Sequence, residues 1–328
     1  MNGIKTRFII LSDTHGAEFG DEWRKPGLAV DVAIHCGDLT EESKLTEFEA
    51  TIRLLKAIDA PLKLYIAGNH DLTLDTAAFQ RKVAELKRTQ PEENGLQSLI
   101  DQEYGTQGQA RKMIEKAREA GIIYLEEGVY KFALENGTQL VVYACPFTLG
   151  DGGWAFEYSA SENYNFAIPD GIHVVVTHGP PHGLMDYTAA SSRVGCPDLF
   201  AAVAKARPRL HCFGHVHSGW GAKKVVWRGL SDCPSHFTDI DNGKSTALKS
   251  LVSFKRGKYD TDEIWADKEA GLQSCLANRY CRTSHCSHDE NPLVVGKQTL
   301  FVNASIEDAM GKPTQFPWIV ELDMPAQI

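Results

Sequence analysis

Short apolar runs alternate with polar, glycine-bearing breaks along this chain, and one arrangement recurs five times. Phe8-Ile9-Ile10-Leu11 leads into Ser12-Asp13-Thr14-His15, Val32 to Cys36 into Gly37-Asp38, and Leu62 to Ile66 into Gly68-Asn69-His70-Asp71. Ile172 to Val176 leads into Thr177-His178-Gly179, and Leu210 to Phe213 into Gly214-His215-Val216-His217. Runs this short and this continuously apolar predict strands buried on both faces. Between them the period changes: Leu45, Phe48, Ile52 and Leu55 recur at spacings of three and four, an amphipathic helix with Ser43 as its cap. A second helix starts at Asp75 or Thr76 and runs to about Leu86, a third spans 110–120 and ends at Gly121, and a short one covers 198–206. Strand, loop and helix in alternation imply parallel pairing. Asn136-Gly137 predicts a hairpin, so antiparallel pairs are mixed in, and 299–303 and 318–322 read as closing strands.

The fold class is therefore α/β. No stretch suits a linker, so residues 1–328 read as a single domain. It carries a polar surface insertion at about 89–109 and a longer one at about 228–296, the latter a lid or an oligomer contact. Hydrophobic residues make up 43% and charged residues 23%, ordinary for a globular protein. The net charge of -9 argues against a nucleic-acid polymer or an anionic membrane as partner. Met1 to Lys5 lead straight into the first strand, leaving no room for a signal peptide, and no run reaches the roughly 20 apolar residues of a membrane span. The eight cysteines, Cys36, Cys145 and Cys212 among them, read as small buried hydrophobes in a reducing compartment, which points to the cytoplasm.

Ligand-type side chains sit where the strands stop. In extended backbone Asp13 and His15 point to the same side. In open α/β sheets the carboxyl ends of strands form the functional crevice, which is where Asp13, His15, Asp38, Asn69, His178, His215 and His217 fall. Seven such groups exceed what one tetrahedral ion needs and suit two ions about 3.5–4 Å apart, with Asp38 as the bridge.

In order and spacing, Asp13-x-His15, Gly37-Asp38, Gly68-Asn69-His70-Asp71, Thr177-His178-Gly179 and Gly214-His215-Val216-His217 resemble the calcineurin-like metallophosphoesterase family. Cys145-Pro146-Phe147, Gly153-Trp154-Ala155-Phe156, Gly179-Pro180-Pro181 and Val302-Asn303-Ala304-Ser305 are similar to the branch related to cyclic-nucleotide phosphodiesterases. The resemblance implies a four-layer sandwich of two mixed β-sheets flanked by helices (the metallophosphoesterase fold). It also implies one metal on Asp13, His15 and His217, another on Asn69, His178 and His215, and Asp38 shared. The implied reaction is hydrolysis of phosphodiesters, cyclic nucleotides among them, or of small phosphomonoesters by hydroxide generated on the two ions. His70 would protonate the leaving oxygen, with Asp71 orienting its ring.

Two divalent ions are the expected cofactors, manganese first, with iron, zinc, nickel or cobalt acceptable to the same donors. Asn69, His182 and Trp154 are the candidate substrate contacts, and the partner is a small phosphorylated molecule, a homo-oligomer being compatible. His35, His173 and His211 read as core histidines. Cys275, Cys281, His285, Cys286 and His288 read as loop residues, a structural zinc site being the alternative. A protein phosphatase and a non-catalytic phosphate-binding scaffold are the competing functions.

Overall fold

A computed structural model of the chain describes residues 3–20, 25–89, 95–106, 108–229 and 237–327. It runs through β1 (Ile4–Leu11), β2 (Val32–His35), α1 (Leu45–Ala57), β3 (Leu62–Tyr65), α2 (Thr76–Thr89), α3 (Leu96–Tyr104) and α4 (Gln109–Ala117). Next come β4 (Ile122–Tyr124), β5 (Gly128–Ala133), β6 (Gln139–Cys145), β7 (Thr148–Leu149), β8 (Glu157–Tyr158), β9 (Val174–Thr177), α5 (Pro197–Ala206) and β10 (Leu210–Phe213). The last part holds β11 (Gly221–Val226), β12 (Thr246–Ser250), α6 (Asp262–Asn278), β13 (Cys281–Ser284), β14 (Gln298–Asn303) and β15 (Trp318–Met324).

Two mixed sheets result, ordered β13-β15-β1-β2-β3-β4 and β12-β11-β14-β10-β9-β6-β5. Alternation along each strand builds the layers. Phe8, Ile10, Val32, Ile34 and Leu64 meet Val142, Val174, Val176, Leu210 and Val302 between the sheets. Ile9, Leu11, Ala33 and Tyr65 turn outward under Phe48, Leu54 and Leu55 of α1 and Ile114 of α4. Val175, Phe213 and Phe301 turn outward under Leu199, Phe200 and Val203 of α5. Both faces of every central strand are covered, so those runs are apolar at consecutive positions. The fold is the expected four-layer α/β sandwich, and each side chain so buried contributes roughly 1.5–3 kcal/mol. Among the described residues no helix is long and apolar enough to cross a membrane.

Several expectations need correction. The cap of α1 is Lys44 rather than Ser43; Ser43 has φ 65° and its hydroxyl accepts from the Thr73 amide at 2.8 Å. The Glu47 carboxylate instead accepts the Lys44 amide at 2.8 Å. The polar stretch at 89–109 contains α3, which buries Ile100, and residues 90–94 and 107 lie outside the described ones. The stretch at 228–296 is no mere surface excursion: it supplies β12 to one sheet edge and β13 to the other. Nor are all the cysteines reduced, because Cys275 and Cys281 form a disulfide joining α6 to β13. Cys36, Cys145, Cys196, Cys212 and Cys286 are free and buried, and Cys233 lies outside the described residues. That disulfide takes two of the five donors of the zinc alternative, and both ring nitrogens of His285 are engaged, by Thr283 and Asn291.

Glu321 of β15 is a wholly buried carboxylate held by Arg282 at 2.6 Å, Arg7 at 2.7 Å and Lys5 at 2.8 Å. Burial pushes its carboxyl up, but hydrogen bonds from Lys5, Arg282 and Arg7 prevail and lower it to about 2. A depressed carboxylate stabilises fully above its ordinary value of 4.5, and that contribution is lost as pH falls through about 2. With partners partly exposed to solvent, it amounts to roughly 2 kcal/mol. Glu321→Gln should cost a similar amount at neutral pH and remove this part of the acid dependence, measured by urea unfolding at neutral and strongly acidic pH. Equal stability of the two proteins at neutral pH would refute the assignment.

Candidate metal centre

The carboxyl ends of β1, β2, β3, β9 and β10 come together at one end of the sandwich, and the loops leaving them are tied to one another. Asp13 N–H donates to the Gly37 carbonyl at 2.9 Å, and Gly214 N–H to that of His178 at 3.0 Å. The backbone there is not extended as expected from the Asp-x-His spacing. Asp13, His15, Asp38 and His215 all adopt left-handed φ, between 45° and 65°, at a cost of roughly 1–3 kcal/mol each. These turns aim the side chains inward. Glycine is required beside them: a Cβ on Gly214 would run into Ser12 Oγ and Asp13 Oδ2, and one on Gly68 into the Asp38 amide and carboxylate.

Among the described residues three groups of ligand atoms form, each with its atoms within 4.8 Å of one another: Asp13, His15 and His217 in one cluster, Asp38, His178 and His215 in a second, and Glu41 and His70 in a third that shares His15 with the first. Asp38 Oδ2 lies between them, 3.2 Å from His178 Nε2 and 3.9 Å from His15 Nε2. Asn69 Oδ1 completes the second cluster, 2.9 Å from both His178 Nε2 and His215 Nδ1. Other groups fix the carboxylates. Asp13 accepts from the His215 amide at 2.8 Å and from Ser305 Oγ at 3.0 Å, and Asp38 Oδ1 from the His70 amide at 2.9 Å.

The donor chemistry fits cations. His178 Nδ1 donates to the Cys36 carbonyl at 2.9 Å, so in the neutral ring Nε2 carries a lone pair facing the oxygens of Asn69 and Asp38. A cation or a proton must lie there. His217 Nδ1 similarly donates to the Asp308 carbonyl and leaves Nε2 3.3 Å from Asp13 Oδ1. Both nitrogens of buried His15 lack a hydrogen-bond partner of good geometry, although Glu41 Oε2 lies 2.8 Å from Nδ1. Burial pushes the Asp38 and Asp13 carboxyls up, but His178 and His217 prevail and hold both below the usual carboxylate range. Burial would lower His178 and His217, yet Asp38 and Asp13 raise each to about 9. His215, buried and beside His178, falls to about 4. Paired carboxylates that draw protons onto imidazoles in this way would draw metal ions to the same nitrogens.

The remaining candidates divide. His70 stands at the mouth of the cluster, edge-on to His15 and stacked on Trp154 with ring centroids 4.7 Å apart. Asp71 does not orient that ring. Its carboxylate is wholly buried and accepts the amides of Leu39, Thr40 and Gly68 and the Thr40 hydroxyl, which locks the loop bearing Asp38. Burial and the Asp38 charge push the Asp71 carboxyl up against those bonds. The partner of His70 Nδ1 is the Glu41 carbonyl at 2.8 Å. His182 lies outside the clusters, its Nδ1 3.3 Å from the Gly195 carbonyl. His35 and His211 are core histidines bonded to Thr14 and Thr177, and His173 accepts from the Val141 amide. Sequence reasoning missed Glu41, hidden in an acidic pair that looks like solvated surface, and Glu307, 3.7 Å from His15 Nε2. Glu307 follows the Asn303-Ala304-Ser305 motif by two residues, a signal that could have marked it.

Comparison with known proteins adds to this geometry. Metallophosphoesterase domain-containing protein 1 of Homo sapiens is 31% identical over 230 residues, 66% of this chain and 62% of that protein. A UPF0046 protein of Caenorhabditis elegans is 30% identical over 232 residues, 69% of this chain and 55% of that one. The probable rhamnogalacturonate lyase C of Emericella nidulans is 31% identical over 253 residues, 76% of this chain but 20% of the lyase. This chain thus spans between a fifth and about three fifths of those relatives' own lengths. The profile of the calcineurin-like phosphoesterases matches residues 6–219, a span that takes in all seven clustered side chains. By that match, over more than half its length, the chain belongs to the calcineurin-like phosphoesterase family.

Proposed function

We propose that this protein hydrolyses small phosphate esters, diesters above all, with two divalent ions at the paired clusters. The observation that carries the reading is the position of Asp38 Oδ2 between two histidine groups. Asp13, His15 and His217 would hold one ion, Asn69, His178 and His215 the other, and Asp38 both. Bound there, such ions neutralise phosphate charge and make water acidic enough to attack near neutral pH. Imidazole, carboxylate and amide donors suit manganese, iron, zinc, nickel or cobalt, and manganese is the ion proposed.

The chain's own groups do the rest. His70 is limited to one pose by Trp154 on its face and His15 at its edge. Its Nδ1–H is spent on the Glu41 main-chain carbonyl, so it is the doubly protonated ring whose Nε2–H would go to the departing oxygen, leaving the neutral Nδ1–H imidazole behind. Exposed apolar side chains rim the cleft. Trp154 covers His70, Tyr187 accepts at its carbonyl from Ser218 beside His217, and Met310 follows Asp308, whose carbonyl meets His217. That rim supports small esters with aromatic groups, cyclic nucleotides among them, over phosphoproteins.

Steady-state assays of the metal-loaded protein on bis-p-nitrophenyl phosphate, p-nitrophenyl phosphate and a phosphopeptide test this. The diester should give the highest kcat/KM. Highest efficiency on the phosphopeptide would overturn the substrate assignment, and a metal-replete protein inert on all three would favour a phosphate-binding scaffold.

A further inference from the structure

Away from the two clusters, a cavity of about 310 Å³ opens between the loop joining β9 to α5 and the outer face of the second sheet. Its walls are His182, Gly183, Arg193, Lys223, Ile240 and Asn242. Two of the lining side chains, Arg193 and Lys223, are cations and none is a carboxylate. The nearby carboxylate, Asp186, is wholly buried: it pairs with Arg193 at 2.5 Å, accepts the Gly183 amide at 2.8 Å and lies 3.8 Å from His182 Nδ1. That leaves Lys223, half-buried and without a carboxylate partner among the described residues. Burial and the charge of Arg193 both lower its pKa, the direction expected of an ammonium short of a counter-ion. The strand is also built to present it. Side chains alternate along β11: Ala222 packs between the sheets and Val225 lies on the outer face, so Lys223 stands on the outer face, where it lines the cavity.

Charge-assisted hydrogen bonds from two cations, with an imidazole and an amide beside them, are how proteins hold oxyanions. We propose that this cavity binds a small oxyanion, the phosphate or carboxylate group of a small molecule, at Lys223 and Arg193 with His182 and Asn242 alongside. The site is separate from the paired clusters and does not depend on the phosphoesterase reading. It also gives His182 a role that its distance from the clusters otherwise denies it.

The test is lysine acetylation of the full wild-type chain, read by mass spectrometry, after chelation and with inorganic phosphate at rising millimolar concentration. Labelling of Lys223 should slow at least about fivefold, with exposed Lys131 unchanged as the internal reference. Asp38→Asn should show the same protection, which separates this site from the clusters. By calorimetry Lys223→Met should weaken the phosphate binding that Asp38→Asn retains by about tenfold or more. If Lys223→Met does not fold, the wild-type footprint decides alone. Acetate as a second probe distinguishes sources: protection by both anions assigns a general oxyanion site, and protection by phosphate alone a phosphate site. Unchanged Lys223 labelling under either anion, or Lys223→Met binding phosphate as the wild type does, would overturn the proposal.

Discussion

Asp38→Asn is expected to abolish most phosphate-ester turnover, by about 10³-fold or more, and to lower bound metal from two ions per chain towards one or none. Asp38 Oδ2 faces both histidine groups, so one neutral oxygen in its place weakens two sites together. The substitution should leave the fold intact, because the amide oxygen can still accept the His70 N–H that Asp38 Oδ1 accepts now. Elemental analysis of the dialysed proteins, alongside kcat/KM and circular dichroism, separates these effects. Full metal content with unaltered kinetics would remove Asp38 from the centre.

His70→Ala should behave differently: turnover falls by about 10²–10⁴-fold while metal content stays at the wild-type level. The loss should also depend on the leaving group. A p-nitrophenolate departs without help, whereas an alkoxide needs a proton, so the defect should be small on nitrophenyl esters and large on alkyl esters. Glu41 supports the ring through its main-chain carbonyl, so Glu41→Gln should preserve the His70 pose while altering the contact to His15. Equal losses of His70→Ala on both ester classes would mean that the ring serves only to shape the pocket.

The features most open to reading from the residues were those where chemistry and geometry coincide. β1, β2, β3, β9 and β10 are covered on both faces, which forces apolar residues at consecutive positions, and a ligand-type residue just past each run marks where the strand stops. The seven clustered residues were found for that reason. β12 and β13 were missed because edge strands such as Thr246–Ser250 and Cys281–Ser284 keep polar side chains in solvent and show no apolar run. Adjacency to His70 suggests that Asp71 orients that ring, whereas its carboxylate turns back to the amides of Leu39 and Thr40. Glu41 meets His70 through its main-chain carbonyl, which leaves no trace in side-chain identity, and its carboxylate beside His15 belongs to an acidic pair that looks like solvated surface.

The polar stretch that adds a strand to each sheet also decides how far this chain can be shortened. Were residues 246–284 trimmed away, β11 and β15 would each show a bare row of amide and carbonyl groups on the same flank of the sandwich. Two open flanks side by side invite strand-to-strand stacking of neighbouring molecules. A truncated version would therefore be expected to leave solution as aggregate even with the end that carries the two clusters untouched.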